Sequence, residues 1–153
     1  MRLSEDRAFE LLRANSHGFM ATQHPERGID VGPTVFAVVG RHLGSPVDLV
    51  KPKASTRLQR ERNLEHEPRA TLAVERWDRD DWSRLWWVRA RLRWTGPGPD
   101  ERTEPIADRL AELFVQYRDK PFASIHVFEI ESVSGWAASE SIEHDAGPQD
   151  RTT

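Results

Sequence analysis

Apolar and polar positions change period several times along the chain, and each change marks an element. From Ser4 onward, Ala8, Phe9, Leu11 and Leu12 share one helical face. Ser4 suits an N-cap, and Glu5 and Asp6 stand in the first turn, where the helix dipole favours acids. Gly18 closes that segment, and residues 18–23 (GFMATQ) read as a strand. HPERG over 24–28 is a hairpin turn: Pro25 presets its φ and Gly28 permits a positive φ. A long strand is predicted over 29–39. Pro33 lies inside it beside Gly32, so a bulge or a sheet edge is expected, because proline donates no ladder bond. A short strand near 47–50 leads into a cationic turn.

A helix is predicted over about 56–65, stopped by Pro68. Leu58 and Leu64 are its only strong apolar residues, so it should lie on the surface. Residues 70–77 alternate as a strand does, and 78–81 form an acidic turn that contains Asp80 and Asp81. The clearest alternation runs over 84–94. Trp86, Val88, Ala90, Leu92 and Trp94 share one face, while Leu85, Trp87, Arg89, Arg91 and Arg93 share the other. The first face belongs in a core; the second must meet water, an anion or a partner chain. GPGP over 96–99 is a loop. Ile106, Leu110, Leu113, Phe114 and Tyr117 mark an amphipathic helix. A last strand over 124–131 reaches toward Trp136. The chain beyond Ser139 is mostly polar, so 1–138 is expected to be one domain and 139–153 a disordered tail. Many short strands, hairpin links and few helices predict a mainly β (α+β) fold, an antiparallel barrel with peripheral helices. Alternating βα units, a GxGxxG motif and a Walker A motif are all missing, which argues against a Rossmann sheet.

Composition narrows the function. A net charge of −3 over 153 residues argues against a general nucleic-acid binder. With no cysteine, disulfides, thiolate metal sites and a cysteine nucleophile are excluded. No apolar run approaches the roughly 20 residues of a membrane span, and the first residues carry no signal-peptide core. A soluble cytoplasmic protein is expected, with neither membrane nor nucleic acid as partner.

The cations are local. Between Lys51 and Arg62 stand Lys53, Arg57 and Arg60 as well, and the only acid is Glu61. Ser55 and Thr56 sit at the turn. Helix-start N–H groups, hydroxyls and cations in one place form an anion site, typically for phosphate. The bland reading is a solvated charged face. Against it, Lys51 and Lys53 crowd the positive end of the helix, where the dipole disfavours cations unless an anion is bound. Trp87 is read either as a dimer contact or as a wall beside a planar ring, and the two agree if the site lies between subunits. A flat, phosphorylated ring cofactor follows. No histidine pair has metal-ligand spacing, so no metal site is expected, and His126 reads as structural. Without a GxSxG elbow, a hydrolase is disfavoured.

In combination, GFMATQ (18–23), VGPTVFAV (31–38), KPK (51–53), RERNLEHEPRATLAVE (60–75) and DDWSRLWWVRARLR (80–93) resemble a known family. They are similar to the split β-barrel flavin/deazaflavin oxidoreductases, relatives of pyridoxamine 5'-phosphate oxidase. The branch most resembled is the actinobacterial one associated with the deazaflavin coenzyme F-420. The resemblance covers most of residues 7 to 138. It implies an FMN-binding-like split barrel that forms a homodimer with two cofactor sites at the subunit interface. It further implies that Lys51, Lys53, Ser55, Thr56, Arg60 and Asn63 hold the cofactor phosphate. Arg57 joins Arg60 and Arg62 to serve an acidic tail. Pro33, Thr34 and Val35 would run beside the ring, with Trp87 in the site wall. Arg60 stands where the family often has lysine, which keeps the charge and permits a bidentate grip. The chemistry implied is hydride transfer between F-420 and a small organic substrate, with no catalytic side chain assigned. The alternatives are an FMN-dependent oxidase or reductase, and a non-catalytic binder of flavin, deazaflavin or haem.

Overall fold

The computed structural model describes residues 1–50 and 58–140. The turn with Lys51, Lys53, Ser55, Thr56 and Arg57 and the polar stretch beyond residue 140 lie outside the described residues. Helix α1 (Glu5–Arg13) starts as the sequence predicts, with Ser4 Oγ accepting from Arg7 N at 3.2 Å. It buries Ala8, Phe9, Leu11 and Leu12. It ends well before Gly18, and strand β1 (His17–His24) begins one residue ahead of that glycine. β2 (Gly28–Val35) follows a turn in which Gly28 has φ 97°. Then come β3 (Ala37–Val39), β4 (His42–Asp48), α2 (Gln59–His66), β5 (Arg69–Arg76), β6 (Trp86–Trp94), α3 (Thr103–Leu113) and β7 (Phe122–Ala137).

The seven strands form one antiparallel sheet in the order β2-β1-β5-β6-β7-β4-β3. Its two end strands, β2 and β3, are consecutive in the chain, with Phe36 alone between them. The sheet must therefore curl until its ends meet, which makes it a split β-barrel. Phe36 is fully buried at that meeting point, and its N–H donates to Ser16 O at 2.9 Å. Across the seam, Thr34 Oγ1 and Ser45 Oγ lie 2.6 Å apart, both buried. Pro33 sits on an end strand, where its missing donor costs least.

Three predicted elements are corrected. The strand over 29–39 is two strands broken at Phe36, because one straight strand could not serve both ends of the sheet. The short strand near 47–50 is instead β4, which starts at His42 and stops at Asp48. Its residues from Leu43 onward are buried without alternation, since one face meets the barrel interior and the other meets α3. Gly44 permits that contact: a Cβ there would collide with the Ile106 side chain. The amphipathic helix stops at Leu113, and Tyr117 belongs to a separate 3₁₀ turn, Val115–Tyr117.

The barrel core gathers Met20, Phe36, Leu43, Leu64, Leu72, Trp86, Val88, Leu92, Phe128 and Ile130 with the buried face of α1. A second cluster joins Ile106, Leu110, Tyr117, Ile125 and Val127 under α3. Tyr117 Oη donates to the buried Asp48 Oδ2 at 2.6 Å, which ties this cluster to the end of β4. Among the described residues, no helix is long and apolar enough to cross a membrane.

The seam generates a prediction. Thr34→Val leaves the buried Ser45 hydroxyl without its partner and should lower unfolding stability by about 1–2 kcal/mol. Adding Ser45→Ala should recover much of that loss. Urea denaturation of the single and double variants checks it; an unchanged Thr34→Val midpoint would mean the seam does not rest on this pair.

Candidate functional site

Helix α2 has a weak start. Leu58 occupies the N-cap and offers no side-chain bond, and the helix begins at Gln59, three positions after Thr56 in the sequence. Polar ties from its interior hold it instead. Asn63, fully buried, donates to Thr22 Oγ1 of β1 at 3.0 Å and to Asp30 Oδ2 of β2 at 2.9 Å. Its own oxygen accepts from Gln59 Nε2 at 3.0 Å. Asp30 also receives Arg27 Nε at 3.1 Å and Nη2 at 2.9 Å. Asn63 first, then Arg27, hold the Asp30 carboxyl below the usual carboxylate range. The helix expected to ride on the surface is thus anchored through its buried Asn63 and Leu64.

A pocket of about 180 Å³ lies where α2 meets β1 and β2. Met20, Thr22, Asp30, Val31, Gly32, Pro33, Leu58, Gln59, Arg60 and Asn63 line it. Of the expected site residues, Pro33, Arg60 and Asn63 therefore meet in one place. Their roles differ. Asn63 spends both amide hydrogens and its oxygen on the protein, so its job is to hold the helix rather than a ligand. Arg60 is half-buried and donates through Nε to His126 Nδ1 of β7 at 3.3 Å. No carboxylate among the described residues pairs with it; Asp30 in the same lining is committed to Asn63 and Arg27. Burial lowers the Arg60 pKa to about 10, which still leaves it charged at neutral pH.

His126, read from the sequence as structural, is the partner of Arg60. It is 3% exposed. Because an Arg Nε–H only donates, His126 Nδ1 is unprotonated, and the neutral ring carries its hydrogen on Nε2. Burial, and then the Arg60 charge, push its pKa down to about 4. Nε2 has no hydrogen-bond partner, and Glu61 Oε1 stands 4.0 Å away. Trp94 meets the ring edge-on with centroids 6.2 Å apart. No local signal joins residues 126 and 60; the fold brings them together.

The remaining expected residues lie elsewhere. Thr34 turns inward to the seam, with Oγ1 also 2.9 Å from Val35 O, and Val35 packs against the α3 cluster. Only Pro33 of that stretch borders the pocket. Trp87 is half-buried on the outer face of β6, between Glu75 of β5 and Trp136 of β7. The Arg89 guanidinium lies 5.3 Å from its ring centroid. Trp136, the partner of Trp87, lies ten residues along β7 from the His126 that holds Arg60, and Trp87 is not among the residues that line the Arg60 pocket. On the same outer face a shallow groove of about 760 Å³ crosses four strands, with Ala21, Thr71, Arg91 and Ser132 in register along it. Arg93 pairs with Glu131 at 3.3 Å.

No protein-family model matches the chain, and no curated protein matches it. Solved structures do share its fold. A FAD-binding protein from Mesorhizobium loti is 20% identical, with the match covering 88% of this chain and 95% of that one at a TM-score of 0.63. A haem-binding protein from Mycobacterium smegmatis is 14% identical over 90% of this chain and 60% of its own, at a TM-score of 0.66. An F420 reductase is 22% identical over 81% of this chain and 93% of its own, at a TM-score of 0.55. At such identities the likeness establishes the split-barrel fold.

The anchoring role of Asn63 is testable without any ligand. Asn63→Ala strips buried partners from Thr22 and Gln59 and should destabilise the ligand-free protein by about 2–3 kcal/mol. Arg60→Ala should cost the ligand-free protein far less. Chemical denaturation of both variants separates the roles, and equal losses would contradict the division.

Proposed function

We propose that the protein is an oxidoreductase that binds the deazaflavin coenzyme F-420 and moves hydride between it and a small organic substrate. One observation carries the reading. Arg60 is a half-buried guanidinium, in the wall of a pocket, with no carboxylate partner among the described residues. Desolvating a cation without a counter-ion is costly, so its complement is an anion brought by a ligand. The segment just before α2 adds Lys51, Lys53, Ser55, Thr56 and Arg57 in sequence, a donor set suited to phosphate. That concentration of cations also suits the acidic glutamate tail of F-420, which FMN lacks. The fold supports the reading, since it is shared with an F420 reductase.

Bound F-420 supplies a two-electron hydride carrier that reacts slowly with oxygen. The chain's own contribution is to hold the phosphate through Arg60 and the preceding turn, and to exclude water from the pocket. Pro33 lies on its rim. Holding ring and acceptor face to face supplies most of what hydride transfer needs from a protein. The second reading is a flavin protein, either an FMN-dependent oxidase or reductase or a binder without turnover. The FAD-binding and haem-binding structures of the same fold favour it.

F-420 should bind more tightly than FMN at matched ionic strength when followed by tryptophan fluorescence. Arg60→Ala and Lys53→Ala should each weaken binding by about 1.5–3 kcal/mol, the scale of a charge-assisted bond to an anion. Tighter FMN binding, or rapid air oxidation of the reduced protein-bound cofactor, would move the assignment to the flavin reading.

We infer, in addition, a twofold homodimer formed through the outer face of the sheet. Phe19 is 50% exposed there, Ile29 58%, Val31 65% and Trp136 36%. An apolar patch of this breadth normally meets a partner, and twofold pairing is its simplest closed solution. Such pairing would let Trp87 of one chain complete a site begun by Arg60 of the other. Trp87→Arg should then disrupt dimerisation and F-420 binding together. Light scattering during cofactor titration reads both; a monomeric variant that binds normally would place the whole site within one chain.

A further inference from the structure

Arg60 raises a question that its own charge does not answer. A half-buried guanidinium on a long, flexible side chain needs something to fix its plane before it can grip an anion in two places. A carboxylate would fix it but would also cancel the charge that the anion needs. His126 offers another solution. Its Nδ1 takes Arg60 Nε–H at 3.3 Å and leaves both terminal nitrogens of the guanidinium uncommitted among the described residues.

We propose that His126 is a positioning residue for the anion site: as a neutral acceptor it orients the Arg60 guanidinium without consuming its charge. This rests on reading Arg60 as the partner of the ligand's anion. The surroundings of the ring support it. The charged groups that face it, Arg60 and Glu61, both come from α2. Its neighbour on β4 is Ser45 and its ring contact on β6 is Trp94, neither of which titrates in this range. With its pKa pushed down to about 4, the imidazole stays neutral across the physiological range. The sign is that of a buried base: the tie to Arg60 is intact above the ordinary histidine range and is lost as the pH falls toward 4. Protonation there turns Nδ1 into a donor and sets two cations side by side.

The test uses F-420 and FMN, both phosphate-bearing, as probes, together with ¹⁵N NMR of the imidazole. His126→Leu removes the acceptor, whereas His126→Asn keeps an oxygen near the position of Nδ1. His126→Leu should weaken binding of the probe about tenfold, the scale of one hydrogen bond to a charged group. His126→Asn should stay within about threefold of wild type, since its oxygen still accepts. In the Arg60→Ala background, His126→Leu should cost nothing further, because the residue acts only through Arg60. Unchanged affinity in His126→Leu, or an undiminished loss in the Arg60→Ala background, overturns the proposal. If Arg60→Ala itself binds as wild type does, the anion reading of Arg60 fails instead, and the two failures are distinct. The NMR arm needs neither a ligand nor a folded leucine variant. It should show the hydrogen on Nε2 and a neutral ring down to about pH 4; a hydrogen on Nδ1 at neutral pH overturns the assignment.

Discussion

The barrel depends on one topological constraint. β2 and β3 are joined by a single residue, yet they stand at opposite ends of a seven-stranded sheet. Nothing flat satisfies that connection. The sheet has to close, and Phe36 has to turn inward at the closure, where it is fully buried. The closure also decides which polar groups need partners. Thr34 and Ser45 face each other inside the seam and satisfy one another, because water cannot reach them. With two end strands brought together, the apolar faces of β5, β6 and β7 have an interior to fill, and α1 packs onto it.

Helix α2 shows how a segment of low apolar content is still fixed in place. It spans two turns and carries no N-terminal side-chain cap, so its intrinsic stability is small. Leu64 supplies its apolar anchor and Asn63 its polar one, the latter reaching both strands of the first hairpin. The two residues fix both the position and the rotation of the helix. That rotation sends Arg60 toward His126 on the opposite side of the sheet order from β1 and β2. Arg60 thus stands on a helix held by one hydrogen-bond system and is tied at Nε by another.

Elements with one wet face were legible in the sequence, and those without one were not. The alternation of β6 announced Trp86, Val88, Ala90, Leu92 and Trp94 as core, and all are buried. The Gly28 turn and the edge placement of Pro33 followed from backbone chemistry alone. β4 was mostly missed because burial on both faces erases the period of two. The break at Phe36 was invisible because the residues on each side are equally extended. Thr34 was grouped with Pro33 beside the ring, although strand parity sends neighbouring side chains to opposite faces; applied strictly, it would have turned Thr34 inward. Asn63 carried a ligand role by resemblance, whereas its partners Thr22 and Asp30 stand 41 and 33 residues away. His126 lies 66 residues from Arg60, and only the folded sheet reveals that pairing.

The geometry also separates two halves of what the sequence presented as one site. The cation pocket opens beside β2 and α2, at one end of the strand order. Trp87 and Arg89 lie on the outer face of β6, toward the end of that strand away from the Trp94 that meets His126. Trp87 pairs with Trp136, ten residues along β7 from the His126 that holds Arg60, so at about 3.3 Å per residue on the order of 30 Å of strand lies between Trp136 and His126. Trp87 of the same chain therefore makes no contact with Arg60. In the proposed complex the ring would be walled either by residues near the pocket, such as Pro33, or by the β6 face of a second copy. The exposed apolar surface lies on the face that such a copy would cover. In the proposed homodimer, one twofold arrangement would bring the half-buried cation and the exposed apolar sheet face each a partner.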